Sequence, residues 1–255
     1  MRASSFPPSV VSAVIGAVLG EHAAARATEG ALPNHLLAPY AEHIARMSAQ
    51  FTGENAPLPR YLDDPIANGA YALYYLFITA AKVAALITRS RTAGFFTGTV
   101  SRIAELGCGP GSGLVGALTA LSGSRLSLTG VDHAAPALAI AYRILGSLGG
   151  DFTPIRCDLE NAIPDLGEPQ DIIIIANTLN ELWRGRNDAL EKRVRLVAET
   201  AERHLASHGL VLILEPALST AARDLVSVRE RLLTSGGWRI MYPCTHYAEC
   251  PIAAL

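Results

Sequence analysis

The sequence predicts an α/β protein: an open, mostly parallel sheet preceded by a helical N-terminal extension. Three observations carry this. From about residue 100 onward, short apolar runs alternate with amphipathic stretches, the pattern of strands joined by crossover helices. One run, Ile172 to Ile175, is four consecutive isoleucines, as expected of a central strand covered on both faces. A glycine-rich turn, LGCGPGSG at residues 106–113, separates the first run from the first helix, where ligands bind in such sheets.

Each element follows in order. Residues 1–98 form the predicted helical region and 99–255 the sheet domain. In residues 10–25, Val10, Val11, Val14, Ile15, Val18 and Leu19 repeat at helical spacing, so a buried helix is expected. The same stretch loosely resembles a signal-peptide core, but only Arg2 supplies positive charge ahead of it, and secretion is not expected. A second helix is predicted over 36–51, then a loop rich in proline and polar residues, TGENAPLPRYLDDP. Asp64 followed by Pro65 marks a helix start, the carboxylate accepting free amide hydrogens and proline fitting the first turn. The helix that follows is apolar nearly all round, so it should be buried. Its Tyr71, Tyr74 and Tyr75 either face a ligand or pack with hydroxyls at the surface.

Strands are predicted at 102–106, 126–131, 152–156, 171–176, 210–215 and 239–242. Helices are predicted at 114–121, 135–148, 188–206 and 220–235. The chain has 255 residues, half of them hydrophobic and 17% charged, enough for one large domain with a sizeable core. A net charge of −2 gives no general basic bias towards nucleic acid, and DNA is not an expected partner. Nor is a membrane. Cysteines at 108, 157, 244 and 250 are too scattered for a disulfide framework, which fits a reducing cytoplasm.

The glycine turn admits two cofactor readings. Gly111, Gly113 and Gly116 match the dinucleotide pattern GxGxxG, with Asp132 further on. That pattern should begin as the strand ends, yet Gly111 comes five residues after Leu106 and Gly116 falls inside the helix. Counted from the strand, the match is Glu105-x-Gly107-x-Gly109-x-Gly111, which resembles motif I of class I S-adenosylmethionine (SAM) methyltransferases. The cofactor this implies carries no phosphate. The loop must let backbone approach its methionine portion, while Glu105 orients the loop or attracts the ammonium group.

Later acids fit the same reading. Asp132 ends the second strand, where a carboxylate can accept hydrogen bonds from two ribose hydroxyls, or cap the helix after Ala134, or both. Asp158 follows the third strand, where the family often binds the adenine amino group; a plain turn aspartate is the alternative. After the fourth strand comes ANTLNELW, which lies against the transferable methyl group in this fold. It is not the Asn/Asp-Pro-Pro-aromatic motif of enzymes that methylate exocyclic amino groups of bases. Asn177, Asn180 and Glu181 are its polar groups: Asn177 on the cofactor side, Asn180 and Glu181 as catalytic candidates. Glu181 can take a proton or orient an acceptor, or serve as a helix-start carboxylate.

The C-terminal part is more distinctive: LVLILEPA, then LVSVRERLL, then MYPCTHYAECP. With YLDDP, AYALYY, LGCGPGSG and TLNEL, these resemble the Rsm-type family of small-ribosomal-subunit methyltransferase-like proteins, over about residues 61–251. The resemblance implies a SAM-binding fold, association with the small ribosomal subunit or its RNA, and an iron–sulfur cluster to which Cys244 and Cys250 contribute, with His246 at the family's histidine position. Four thiolates are the usual requirement, and the remaining cysteines, Cys108 and Cys157, are not obvious partners. The last strand of the family's sheet is expected to be missing, as in a shortened member or a fragment.

Three functions remain open at this point. One is a SAM-dependent methyltransferase acting on ribosomal RNA or during small-subunit assembly. Another is a non-catalytic assembly factor that grips RNA phosphates through arginines 184, 186, 193, 195, 203, 223, 229, 231 and 239, which otherwise form a solvated face. The third is a small-molecule methyltransferase.

Overall fold

A computed structural model describes residues 6–28, 32–52, 60–96, 98–244, 246 and 248–251. Residues 53–59 of the proline-rich loop predicted at 52–65, and Thr245 and Tyr247 of the C-terminal signature, lie outside the described residues. Helices α1 (Pro8–Leu19), α2 (Glu21–Thr28), α3 (Asn34–Thr52) and α4 (Pro65–Thr92), with a short 3-10 turn at Tyr61–Asp63, precede the sheet. The single helix predicted at 10–25 is two, because Gly20 takes φ +92° and breaks the run. The predicted start of α4 is as expected: Asp64 Oδ1 accepts the Ala67 N–H at 2.7 Å.

Strand β1 (Arg102–Leu106), helix α5 (Ser112–Ala120), β2 (Ser127–Asp132), α6 (Ala135–Ser147), β3 (Asp151–Arg156), β4 (Gln170–Ala176), α7 (Ala189–His204), β5 (Leu205–Leu214) and α8 (Ser219–Ser235) follow. The five strands are all parallel in the order β3-β2-β1-β4-β5. Pro154 is tolerated in β3 because that strand is an edge, where a missing N–H costs no ladder bond on the open side.

The sheet separates two apolar layers. Ile103, Leu128, Ile172 and Ile174 pack against α1, α4, α5 and α6 on one face. Ala104, Leu106, Ile173 and Ile175 pack against α7 and α8 on the other. Side chains of period two, apolar on both faces, explain the isoleucine run. The helical extension shares the first layer: Leu76, Ala80, Val83 and Ile87 of α4 are fully buried there. Gly116 of α5 lets the two helices touch, since a Cβ there would lie 2.5 Å from the Ala80 carbonyl oxygen. That contact is its role, rather than the dinucleotide pattern.

Two expectations change. Strand β5 begins at Leu205, before the predicted 210, and joins β4 through a register shift between Gln170 and Ile172. The strand predicted at 239–242 does not form, and among the described residues β5 is the edge strand on that side of the sheet. Instead Tyr242 turns its ring under the Arg89 guanidinium of α4, 4.6 Å from the ring centre. A strand needs a paired neighbour, and this segment docks on a helix instead.

Candidate functional site

Chain order reverses at β1: the next two strands lie to one side and the last two to the other. Such a switch point opens a crevice beyond the carboxyl ends of the two central strands. Leu106 is paired with Ile175, so the glycine turn after β1 stands beside the segment after β4. The Thr178 hydroxyl crosses the seam and donates to the Leu106 carbonyl at 3.2 Å.

Backbone conformation explains the glycines. Gly107, Gly109 and Gly111 all have positive φ, at +67°, +51° and +89°, a region that side chains rarely enter. A Cβ on Gly107 would sit 2.4 Å from Thr178 Oγ1. Gly107 and Gly109 line the cleft, whereas Gly111 lies behind it as the residue before α5, against Ala141 of α6.

Two buried acids hold this turn. The Glu105 carboxylate accepts the N–H groups of Gly113, at 2.9 and 3.1 Å, and of Leu114 at 3.1 Å, satisfying free donors at the α5 N-terminus. Burial pushes its pKa up to about 8 against those hydrogen bonds. Asp132 accepts the Gly109 N–H at 2.8 Å with one oxygen and the Ala134 N–H at 2.8 Å with the other. Capping and cleft lining therefore coexist, and burial raises this carboxyl too. Orienting the loop is what Glu105 does in this structure.

Asp158 lies at the rim, where it accepts the Glu160 N–H at 3.1 Å and the Asn161 side-chain amide at 3.0 Å, and faces Arg60 at 3.5 Å. The turn role is thus real, and the carboxylate still lines the cleft.

The segment after β4 is clamped by four residues from other parts of the chain. Asn177 takes φ +54° and donates from its amide to Thr79 Oγ1 of α4 at 3.1 Å. Glu215, just past β5, accepts the Leu179 N–H at 2.9 Å. Arg193 of α7, 5% exposed, donates to the Leu182 carbonyl at 3.1 and 3.0 Å and to Asp224 of α8 at 2.6 Å. The Glu160 carboxylate takes the Trp183 N–H. Glu181 and Asn177 line the cleft; Asn180 does not, and its side-chain oxygen Oδ1 is buried without a partner among the described residues. Burial, then the Glu215 and Asp132 carboxyls, push the Glu181 pKa up to about 8, with Arg184 opposing. Burial likewise holds Glu215 at about 7, opposed by the N–H groups of residues 178–180 and by Arg193.

The roof of the cleft was legible in the sequence only at Tyr71, one of three tyrosines that either face a ligand or pack. Tyr61, Leu62 and Tyr71 line it from the helical extension, and burial holds both phenols well above their ordinary range. Tyr71 therefore faces the cleft, while Tyr74 is exposed and the Tyr75 hydroxyl donates to Ile44. The tyrosine run was visible, but which tyrosine turns inward depends on how α4 crosses α5.

The cleft suits a cationic, phosphate-free ligand. Four carboxyls, Glu105, Asp132, Asp158 and Glu181, line it, and its glycine cradle leaves no room for side chains. The N–H groups of Gly113 and Leu114 at the α5 N-terminus, where a pyrophosphate would sit, are already taken by Glu105. These residues fit SAM.

The metal expectation finds no support among the described residues. Among the described residues, no group of three or more His, Cys, Asp or Glu side chains is placed to hold a metal ion. Cys244 and Cys250 are free thiols, and the Cys250 N–H donates to Glu230 at 3.1 Å. The buried Cys108 and the Cys157 thiol belong to the cofactor cleft, where they supply no further ligands to that pair. Several arginines offered as phosphate contacts are ion-paired: Arg186 with Asp188, Arg195 and Arg203 with Glu199, Arg231 with Glu191, Arg229 with Glu230.

An O-methyltransferase family protein from Burkholderia thailandensis is similar in structure, with a TM-score of 0.50 at 18% identity over 75% of this chain and 60% of that one. The plantazolicin methyltransferase BpumL, solved with a pentazolic desmethylPZN analog and SAH, gives 0.46 at 17% over 78% and 66%. Streptomyces venezuelae DesVI gives 0.41 at 22% over 56% and 54%. The chain thus spans about two thirds or less of these proteins, and at such identity the likeness is one of fold. No curated protein matches the sequence. The family model described as mitochondrial small ribosomal subunit Rsm22 matches residues 67–255, from α4 through the glycine turn to the C-terminus, and the chain belongs to that family.

Proposed function

We infer that the protein is a SAM-dependent methyltransferase that works on the small ribosomal subunit, on its RNA or during its assembly. The observation that carries the first half is the cradle at the β1–β4 switch point: three positive-φ glycines tied down by Glu105 and Asp132. The family description supports the second half.

When bound, SAM supplies a methyl group on a positively charged sulfur. Around it, Gly107 and Gly109 offer backbone without side chains, and Asp132 and Asp158 offer acceptors to hydroxyl and amino groups. Tyr61, Leu62 and Tyr71 cover the cleft and exclude water. Glu181, held in place through its clamped segment, takes up the proton that a nitrogen or oxygen acceptor releases. Alignment of acceptor, methyl and sulfur supplies the rest of the acceleration.

Calorimetric titration with SAM and with S-adenosylhomocysteine (SAH) tests the first half. Both should bind, and Asp132→Ala should weaken both by at least tenfold because Gly109 and Ala134 lose their anchor. Absence of binding by the intact protein overturns the methyltransferase reading. Transfer of labelled methyl to small subunits from cells lacking the protein tests the second half, and label found only on small molecules overturns it.

A further inference from the structure

Glu181 lies where a charge is hard to keep. It lines the cleft with Asp132 from the end of β2, Tyr61 and Tyr71, and its charge is opposed by the Glu215 and Asp132 carboxyls and favoured by Arg184 on its own segment. Glu105, Asp158, His133 and Cys157 line the same cleft, and Arg60 marks its rim with a side chain 66% exposed. The buried guanidinium of this region, Arg193, is committed to Leu182 and Asp224. Among the described residues no backbone N–H donates to the Glu181 carboxylate, whereas Glu105, Asp132 and Glu215 each accept at least one. Of the cleft's acids it is the one without a fixed positive dipole to hold it ionised.

We propose that Glu181 is a charge sensor for the ligand: it gives up its proton when a sulfonium enters the cleft and keeps it when the uncharged thioether does. This rests on the cleft being a SAM site. A positive sulfur close to a buried carboxyl stabilises the carboxylate strongly, because little water screens the pair. SAH, with the same amino, carboxyl and adenosine groups and a neutral sulfur, offers no such partner. The raised pKa of Glu181, about 8, places the change in the neutral range. SAM binding then releases a proton, and by linkage its affinity rises with pH while that of SAH does not.

The consequence for turnover is direct. With SAM in place Glu181 is ionised, ready to accept a proton from the acceptor. Once the methyl has moved and the sulfur is neutral, the carboxylate has lost its partner and holds the proton instead. The cleft therefore favours the charged substrate before transfer and relaxes its grip on the product after it.

The test is binding of SAM and SAH from pH 6.0 to 8.5 by calorimetry in two buffers of different ionisation enthalpy. Each unit by which the sulfonium lowers the Glu181 pKa tightens SAM about tenfold across that range. The expected result is about tenfold for SAM, less than about threefold for SAH, and net proton release with SAM alone. Glu181→Gln should still bind SAH and lose the excess pH dependence of SAM. If that variant fails to bind SAH, Glu215→Gln decides: removing the neighbouring carboxyl should move the midpoint of the SAM profile to lower pH. Parallel profiles for both ligands in the intact protein, a slope that survives Glu181→Gln, or an unmoved midpoint in Glu215→Gln overturns the proposal. Failure of the intact protein to bind either ligand instead removes the SAM site beneath it.

Discussion

The carboxylate of Glu105, one residue from the end of β1, accepts the N–H of Gly113, the second residue of α5, at 2.9 Å. Strand, turn and helix are thereby fixed to one another by a group that is 1% exposed. Glu105→Ala leaves the Gly113 and Leu114 donors buried and unpaired, and should cost about 3 kcal/mol of stability. Glu105→Gln keeps an acceptor and should cost roughly half as much. Urea unfolding of both variants measures the difference.

Glycine substitutions should separate space from conformation. Gly107→Ala meets Thr178 at 2.4 Å with φ +67°, and Gly116→Ala meets the Ala80 carbonyl at 2.5 Å. Each should lower stability by about 2 kcal/mol or more through overpacking or strain. Only Gly107→Ala should also abolish SAH binding at fixed folded fraction. Gly146→Ala, near the end of α6 with nothing within 4 Å, should be neutral or stabilise by about 0.5–1 kcal/mol. Thermal melts with and without SAH check all three.

Stability should fall as pH rises from about 5 to 8. Glu105, Glu181 and Glu215 have folded pKa values raised to about 8, 8 and 7. Between their ordinary value and these, the folded state binds protons that the unfolded state has released. The stabilisation is therefore full below the ordinary carboxylate range and is lost as pH climbs through the folded values. For one such group the loss is on the order of 3 kcal/mol. Urea midpoints measured across that range should decline, and Glu181→Gln should flatten the decline.

Arg193 should matter more than the exposed ion pairs. Its side chain is 6% exposed against 52% for Asp224, and it satisfies the Leu182 carbonyl twice. Arg193→Ala should cost about 3 kcal/mol, because a buried carbonyl and the packing of the arginine stem are lost together. Arg195→Ala, on an exposed i,i+4 pair with Glu199, should cost under about 0.5 kcal/mol. Denaturant curves of the two variants give the ratio.

What the sequence revealed depended on whether the signal was local. The isoleucine run, the Asp64–Pro65 cap and the glycines between β1 and α5 each announce their structure within a few residues, and all appear where expected. Gly20 was equally local, yet the apolar period ran across it and hid the break. Tyr61 is brought to the cleft, and Arg193 and Glu215 to the segment beside it, by packing between elements far apart in the chain, so no spacing betrays these roles. Asn180 shows the converse: it is adjacent to Glu181 in sequence, but one residue along a tight turn carries it out of the cleft. The segment at 239–242 has strand-forming residues and lacks a strand's neighbour.

The position of β1 has a consequence for the order of folding. One flank of β1 is met by β2 after a single helix, but the other waits for β4, which enters only after α6 and β3 have been made. As the nascent chain emerges, a three-strand half with one bare central edge must persist until the isoleucine strand arrives. Such long-range closure slows folding and leaves a sticky surface in the meantime, so the most collapse-prone moment in this protein's synthesis falls between the emergence of β3 and that of β4.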